Sequence, residues 1–479
     1  MSAPILATLK DVCCRLPGGD RDAIQDVTLT IYEGEHCALL GDNGSGKTTL
    51  LRLLRGDVWA TTGRIAWMTD EGEETSPIAG RSLAAIVSPL QQGVYQRQQW
   101  LLTGLELLLT GFDDTPLLYG SAPDHQKTAC VTLAKSMGIT ALLDRSLPSL
   151  SQGQLRLLLL GRALVWGPKL LLLDECTDGL DKANRQKFWG ILESFANSHT
   201  IIMAEHRLAN IPSWCTHRYW LDHGKLRKNV PQYKKSPTTK VRTATAPHLP
   251  EDGRLLVSLD HVDVYVDREQ ALYDITWDMH QGEHWRIAGA NGSGKSTLLR
   301  LLAGDEMVAS GGHIRRWMPG RTQPLRTLLQ VRKAYRLVAD LSQAQYDYDV
   351  TVLELLCSGI DNTVGLYRSF AASEEAKALH ALKTIGLAEL ADRTIDQLST
   401  GQLRRVFLAR AIMGNPSILL LDEPCSGLDA ASRTQYLDTL DKLAETGMHI
   451  IIVTHYDEDV PLCVNRHARM DDGRLIVTS

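Results

Sequence analysis

Residues 37–48 read Cys-Ala-Leu-Leu-Gly-Asp-Asn-Gly-Ser-Gly-Lys-Thr, and residues 285–296 read Trp-Arg-Ile-Ala-Gly-Ala-Asn-Gly-Ser-Gly-Lys-Ser. Each is an apolar run, then an octet of the form G-x-x-x-x-G-K-[ST], then a segment (50–54, 298–302) with apolar residues at helical spacing. A strand, a glycine-rich turn and a helix in that order make the pattern a phosphate-binding loop rather than a structural turn. Gly41, Gly44 and Gly46, and Gly289, Gly292 and Gly294, let the backbone turn so that successive N–H groups converge on phosphate oxygens. The helix N-terminus adds the positive end of its dipole. Lys47 and Lys295 are expected to reach the β- and γ-phosphates, and the hydroxyls of Thr48 and Ser296 to face Mg²⁺. Asn43, Ser45 and Thr49, with Asn291, Ser293 and Thr297, complete the predicted nucleotide-binding set.

Working outward, the two octets belong to a longer repeat. Gly34-Glu35-His36 returns as Gly282-Glu283-His284, a shift of 282 − 34 = 248, and the same shift relates Gly111 to Gly359, Gly153 to Gly401 and Asp174 to Asp422. A constant register over so long a stretch, with a domain-sized period, means two homologous domains in tandem. The boundaries read as a first domain at 1–224, a linker at 225–253 rich in Pro, Thr and Lys/Arg, and a second domain at 254–479. Within each half, Ile24 to Ile31 and Leu272 to Met279 alternate apolar and polar residues as half-buried strands do, whereas 170–173 is a continuous apolar run suited to a strand buried on both faces.

The composition agrees with two ordinary α/β domains. The 479 residues are about three times a usual single domain of roughly 150. Hydrophobic content of 44% and charged content of 22% exclude a disordered or fibrous chain. A formal charge of −5 lacks the basic excess of a mainly electrostatic nucleic-acid binder. No run approaches the ~18 apolar residues of a membrane span. The first ten residues lack the pattern of a signal peptide, and nine cysteines without metal spacing read as reduced, so a cytoplasmic location is expected.

Two further patterns occur at matching distance from both loops. Asp174-Glu175 and Asp422-Glu423 end apolar strands, placing one carboxylate to hold Mg²⁺ through oxygen and the next to polarise an attacking water. Leu150-Ser151-Gln152-Gly153-Gln154 and Leu398-Ser399-Thr400-Gly401-Gln402 sit just before helices, 21 residues ahead of the acidic pairs, with Ser151 and Ser399 as helix N-caps. This LSxGQ element between a phosphate loop and an Asp-Glu strand end resembles the signature of ABC-type ATPases. Gly179-Leu180-Asp181 and Gly427-Leu428-Asp429 look like that family's D-loop, and His206 and His455 occupy its switch position.

The resemblance covers nearly the whole chain. It implies an α/β fold of two tandem P-loop NTPase domains, each with a mainly parallel core sheet, an antiparallel β subdomain and a helical signature subdomain. It also implies ATP hydrolysis with Mg²⁺ at two composite sites. Lys47, Thr48, Asp174, Glu175 and His206 would combine with Ser399, Gly401 and Gln402; Lys295, Ser296, Asp422, Glu423 and His455 would combine with Ser151, Gly153 and Gln154. Some positions depart from the pattern. Asp-Glu-Pro is kept at 422–424 but is Asp174-Glu175-Cys176 in the first half. The glutamine loop has Gln91, Gln92, Gln343 and Gln345 as candidates, and Tyr265 is the one candidate for adenine stacking.

Within the family, the 104 residues between Lys47 and Ser151 leave no space for a long coiled-coil insertion, and no cysteine cluster points to a ribosome-recycling branch. What remains is similar to tandem ATPases that energise membrane transporters, most of all those tied to molybdate transport. A membrane permease is therefore the expected partner, docked on 88–120 and 339–368 with Tyr95, Trp100, Tyr346 and Tyr348 (aromatic core packing of a helical subdomain is the equal alternative for these four), and the chain would lie peripherally at the inner face of the membrane. The alternative is a ribosome- or nucleic-acid-associated ATPase acting through the basic linker.

Overall fold

The apolar run Leu170–Asp174 shows why the core sheet forms where it does. Leu171 and Leu173 pack into one buried cluster with the helical layer, while Leu170 and Leu172 pack into another with the phosphate-loop helix. A strand with period-two side chains buried on both faces belongs in the middle of a parallel sheet. In the second half, Ile418 and Leu420 face one cluster and Leu419 and Leu421 the other.

The computed structural model describes residues 3–16, 22–98, 100–180, 182–228, 253–266, 268–339, 350–363 and 366–478. They fall into two compact units, Met1–Ser236 and Pro237–Ser479. In the first unit a six-stranded sheet runs Lys225–Arg227, His217–Asp222, Cys37–Leu40, Thr200–Glu205, Leu170–Asp174, Ala84–Val87. All neighbours are parallel except the first pair. The second unit repeats this as Tyr335–Val338, Ile418–Asp422, His449–Val453, Trp285–Gly289, Arg466–Asp471, Arg474–Thr478, with only the last pair antiparallel. Separate antiparallel sheets flank these cores: Ile24–Tyr32, Ile5–Cys14, Thr62–Thr69 and Gly72–Glu74 in one unit, Glu269–His280, Leu255–Val266 and His313–Arg316 in the other. The alternation in Ile24–Tyr32 is half-buried as its pattern requires.

A helical layer completes each unit: Gly104–Leu109, Asp124–Ser136 and Gln152–Leu164, then Val352–Asp361, Ala372–Thr384 and Thr400–Ile412. The short helices start at capping boxes, Thr103 with Glu106 and Thr351 with Glu354, in which side chain and backbone satisfy each other reciprocally. Gly111 and Gly359 let the following turn press against the signature helix. A Cβ at either would sit 2.2 Å from a backbone oxygen, of Arg162 or Arg410.

Two sequence expectations need correction here. Lys225–Arg227, placed in the linker by its charge, is an edge strand that pairs residue for residue with Asp222, Leu221 and Trp220. Its alternate residue Leu226 packs against the core, which charge counting overlooks. Tyr95, a docking candidate, is buried, meets Trp100 edge-to-face and donates its hydroxyl to the Pro116 carbonyl. Linker residues 229–252, Asp181, Asp340, Gln343, Gln345, Tyr346 and Tyr348 lie outside the described residues. Among the described residues no helix is long and apolar enough to cross a membrane.

Leu172→Ala and Leu420→Ala, at fully buried strand centres, are each expected to lower unfolding free energy by ~2–5 kcal/mol. Leu90→Ala, 63% exposed, should stay within about 0.5 kcal/mol. Urea denaturation of the three variants checks this ordering.

Candidate active site

Both phosphate loops leave the C-terminal end of a central strand and enter a helix, Lys47–Arg55 or Lys295–Ala303. Gly41 and Gly289 both have φ of 151°. A Cβ there would lie 2.2 Å from the Leu221 oxygen or 2.4 Å from the Met470 oxygen, so the neighbouring strand admits only glycine. Gly46 and Gly294 are left-handed at the helix N-caps, where no side chain occupies the helix terminus.

The lysines are folded back into the loops they follow. Lys47 Nζ donates to the carbonyls of Gly41 (2.8 Å) and Asp42 (3.1 Å), and Lys295 Nζ to those of Gly289 (2.9 Å) and Ala290 (2.6 Å). Both are about 5% exposed. The buried hydroxyls of Ser45 and Ser293 have no hydrogen-bond partner. Thr48 donates to Asp174 Oδ2 at 2.8 Å, while Asp174 Oδ1 is buried and unpartnered. Burial lifts the Asp174 carboxyl above its ordinary value, against the pull of the Thr48 bond and Lys47. A loop of amides with unused hydroxyls fits phosphate. A buried, half-satisfied carboxylate beside a hydroxyl fits a hard divalent cation such as Mg²⁺. Ser296 and Asp422 repeat the oxygen donor set of Thr48 and Asp174 in the second half.

Glu175 and Glu423 follow the acidic strand ends with φ of 46°. Each backbone is fixed by a 3.0 Å bond from its N–H to the adjacent strand, at Ala204 O or Val453 O. Glu175 Oε1 lies 3.7 Å from Lys47 Nζ and 3.9 Å from His206 Nδ1. Burial, with Asp178 next, pushes its carboxyl up to about 7 against the pull of Lys47. Glu423 Oε1 lies 2.8 Å from His455 Nε2, and the same ring nitrogen is 2.8 Å from Asn291 Oδ1 of the phosphate loop. In both halves, then, the loop lysine, the strand-end acids and the switch histidine are gathered within one unit.

The signature residues cap helices, as the sequence implied. Ser151 and Ser399 accept from the N–H of Gln154 and Gln402 at 3.3 Å, and those glutamine side chains return a bond to the serine N–H. Gln154 and Gln402, expected from the sequence among the nucleotide contacts, act here as capping partners. The serines remain exposed, and Gly153 and Gly401 are buried against the following helix. Of the glutamine-loop candidates, Gln92 is buried and accepts from Arg156 Nε and Nη2 at 2.8 and 2.6 Å. Arg156 also donates to the carbonyls of Cys176 and Asp178. Tyr265 is 53% exposed, its hydroxyl bonded to Gln270.

Reading for motifs passed over three first-half residues: Asp178, Glu205 and Arg207. Asp178 Oδ1 is 3.7 Å from His206 Nε2, and Arg207 Nε donates to that nitrogen at 3.2 Å. Glu205, fully buried, accepts from Thr177 at 2.8 Å, and burial raises its carboxyl to about 8. Comparing the halves would have flagged all three, since Ser426, Thr454 and Tyr456 stand in the corresponding places.

A duplicated strand–loop–helix with its lysine, acidic strand end and capped signature helix defines a nucleoside-triphosphatase of the P-loop class. Residues 24–178 and 272–426 each match the ABC transporter family. The chain belongs to that family, as a tandem pair of ATP-binding, ATP-hydrolysing domains. It is 30% identical to the ABC transporter ATP-binding protein ModF of Escherichia coli over 95% of both chains. It is 27% identical to an ABC transporter ATP-binding protein of Schizosaccharomyces pombe over 95% of this chain and 96% of that one. Among solved structures, the archaeal ribosome recycling factor aABCE1, in complex with the stalk protein aP1, superposes with a TM-score of 0.61 at 18% identity. The match covers 98% of this chain and 90% of that one, a likeness of fold.

Glu205 binds its proton more tightly in the folded than in the unfolded chain. The stability it contributes is full below pH of about 4.5 and is lost as pH rises towards 8. Glu205→Gln keeps an amide in the same hydrogen bonds without a titrating group. Urea midpoints should therefore fall less between about pH 5 and pH 8 in the variant than in the parent. Parallel slopes would exclude Glu205 as the source.

Proposed function

We propose that this chain is the ATP-hydrolysing motor subunit of an ABC transporter, with two ATPase domains, the first running through the edge strand Lys225–Arg227, joined by a basic linker. Its partner is a membrane permease, and it works at the inner face of the cytoplasmic membrane on molybdate or a related anion. The observation that carries the reading is the match to ModF across 95% of both chains. Exposed apolar side chains on the docking segment support it: Leu90, Leu101 and Tyr119 are 63%, 85% and 75% exposed. In the same unit, a cavity of about 270 Å³ lined by Arg55, Arg81, Phe112, Asp114, Arg162 and Trp166 offers a mixed basic and aromatic seat.

In this reading the loop amides and the lysines hold the β- and γ-phosphates of ATP, with Lys47 and Lys295 exchanging loop carbonyls for phosphate oxygens. Mg²⁺, held by Thr48 with Asp174 and by Ser296 with Asp422, supplies charge neutralisation on the phosphates when bound. Glu175 and Glu423 orient and deprotonate the attacking water, and His206 and His455 steady those carboxylates. Ser151 with Gly153, and Ser399 with Gly401, present helix N-termini suited to a phosphate group.

Lys47→Ala and Lys295→Ala should each weaken ATP binding at one site by roughly tenfold or more, measured by titration calorimetry. Glu175→Gln combined with Glu423→Gln should abolish steady-state turnover while ATP binding is kept; undiminished hydrolysis would remove both glutamates from the mechanism. Affinity purification from detergent-solubilised membranes tests the partner. Recovery of an integral-membrane permease supports the motor reading, and RNase-sensitive co-sedimentation with ribosomes supports a translation-associated ATPase instead.

A further inference from the structure

The two halves surround their glutamates differently. In the second half His455 Nε2 faces two acceptors, Glu423 Oε1 and Asn291 Oδ1, each at 2.8 Å. That nitrogen must carry the ring proton, and the histidine ties the glutamate to the phosphate loop. In the first half His206 Nε2 accepts from Arg207 Nε at 3.2 Å, which leaves the neutral ring's proton on Nδ1. The same nitrogen faces Asp178 Oδ1 at 3.7 Å, and Glu175 stands 3.9 Å from Nδ1. Glu175 instead leans towards Lys47 Nζ, 3.7 Å away.

We propose that the two ATP sites are kinetically unequal. The site built on Lys295, Glu423 and His455 carries most of the turnover. Arg207 and Asp178 are positioning residues that hold His206 and Glu175 away from the arrangement of their counterparts, so the Lys47 site turns over slowly. The inference rests on the ATPase reading of these same loops and adds a division of labour between them. Its physical basis is twofold. A glutamate fixed at 2.8 Å by a histidine anchored on the loop is preorganised, whereas one shared loosely between lysine and histidine must be repositioned before it can act. Asp178 also adds a second carboxylate beside Glu175, in a pocket that receives the negatively charged phosphates. At the corresponding positions Ser426 carries no charge and Tyr456 no guanidinium. Arg156 donates to the Asp178 carbonyl at 2.8 Å, so the segment bearing that carboxylate is anchored in a buried layer.

Three measurements on the full-length chain test this. In steady-state ATPase assays Glu423→Gln should lower kcat more than about tenfold and Glu175→Gln less than about threefold. Long-range ¹H–¹⁵N spectra of histidine-labelled protein should show an Nδ1–H tautomer that disappears in His206→Gln and an Nε2–H tautomer that disappears in His455→Gln. Arg207→Tyr should move the first of these to Nε2–H. In the Glu423→Gln background, Arg207→Tyr with Asp178→Ser should raise kcat several-fold with little change in KM for ATP; Asp178→Ser alone serves if the double replacement does not fold. Equal losses from the two glutamate variants, one tautomer for both histidines, or an unmoved kcat would each overturn the proposal. A folded parent chain that hydrolyses no ATP would instead overturn the ATPase reading beneath it.

Discussion

A buried ammonium group must be surrounded by oxygens, and the whole of each domain is arranged to provide them at one point. Lys47 and Lys295 are about 5% exposed and lie against the carbonyls of the loops that precede them. That enclosure requires the loop to pass close over the neighbouring strand, which is why Gly41 and Gly289 tolerate no side chain. It also requires the loop to begin at the end of a central strand, because only there do the acids of the next strands come within reach. The order Cys37–Leu40, Thr200–Glu205, Leu170–Asp174 achieves this by bringing the phosphate loop, the switch residue and the acidic pair to one edge of the sheet.

The elements that satisfy this constraint are the ones that could be read from the amino-acid sequence. Glycine spacing, a continuous apolar run and a serine three residues before a glutamine each have a local physical cause, so loops, core strands and capped signature helices were all legible. Other features depend on contacts distant in sequence. Lys225–Arg227 looks like tether by charge and becomes strand because Leu226 meets the core and its backbone meets Asp222 and Trp220. That Gln92 is buried as the acceptor of Arg156, from a helix 64 residues away, has no local signal in the sequence. Asp178, Glu205 and Arg207 carry no motif; their meaning lies in burial beside His206.

Duplication makes those long-range differences interpretable. The two copies keep the same backbone path through loop, strand end and signature helix, so a residue that differs between them is compared in nearly the same frame. Where the second half has Ser426, Thr454 and Tyr456, the first has one partly buried acid, one fully buried acid and one arginine. Glu205 is accommodated by bonding to Thr177, itself replaced by Cys425 in the other copy, so the change is matched rather than isolated. Arg156 and Arg404, by contrast, occupy the same place and both reach the carbonyl of residue 178 or 426. The shared arginine fixes the turn, and the variable residues set what that turn presents.

The strand-end glutamates add a constraint of a different kind. A left-handed φ at a non-glycine residue costs of order 1–3 kcal/mol and persists only where surrounding bonds enforce it. Glu175 and Glu423 both adopt φ of 46°, and both are held by an N–H bond to the adjacent strand at 3.0 Å. In ordinary strand geometry the residue after Asp174 would point to the opposite face of the sheet from it. The left-handed turn breaks that alternation, and in the first half it brings two consecutive carboxylates, Asp174 and Glu175, under the influence of Lys47. Glycine would relieve the strain at either position, but it has no carboxylate to offer. Glutamate stands at both positions at matching φ, so the fold bears the same strain twice in placing a carboxylate at the strand end.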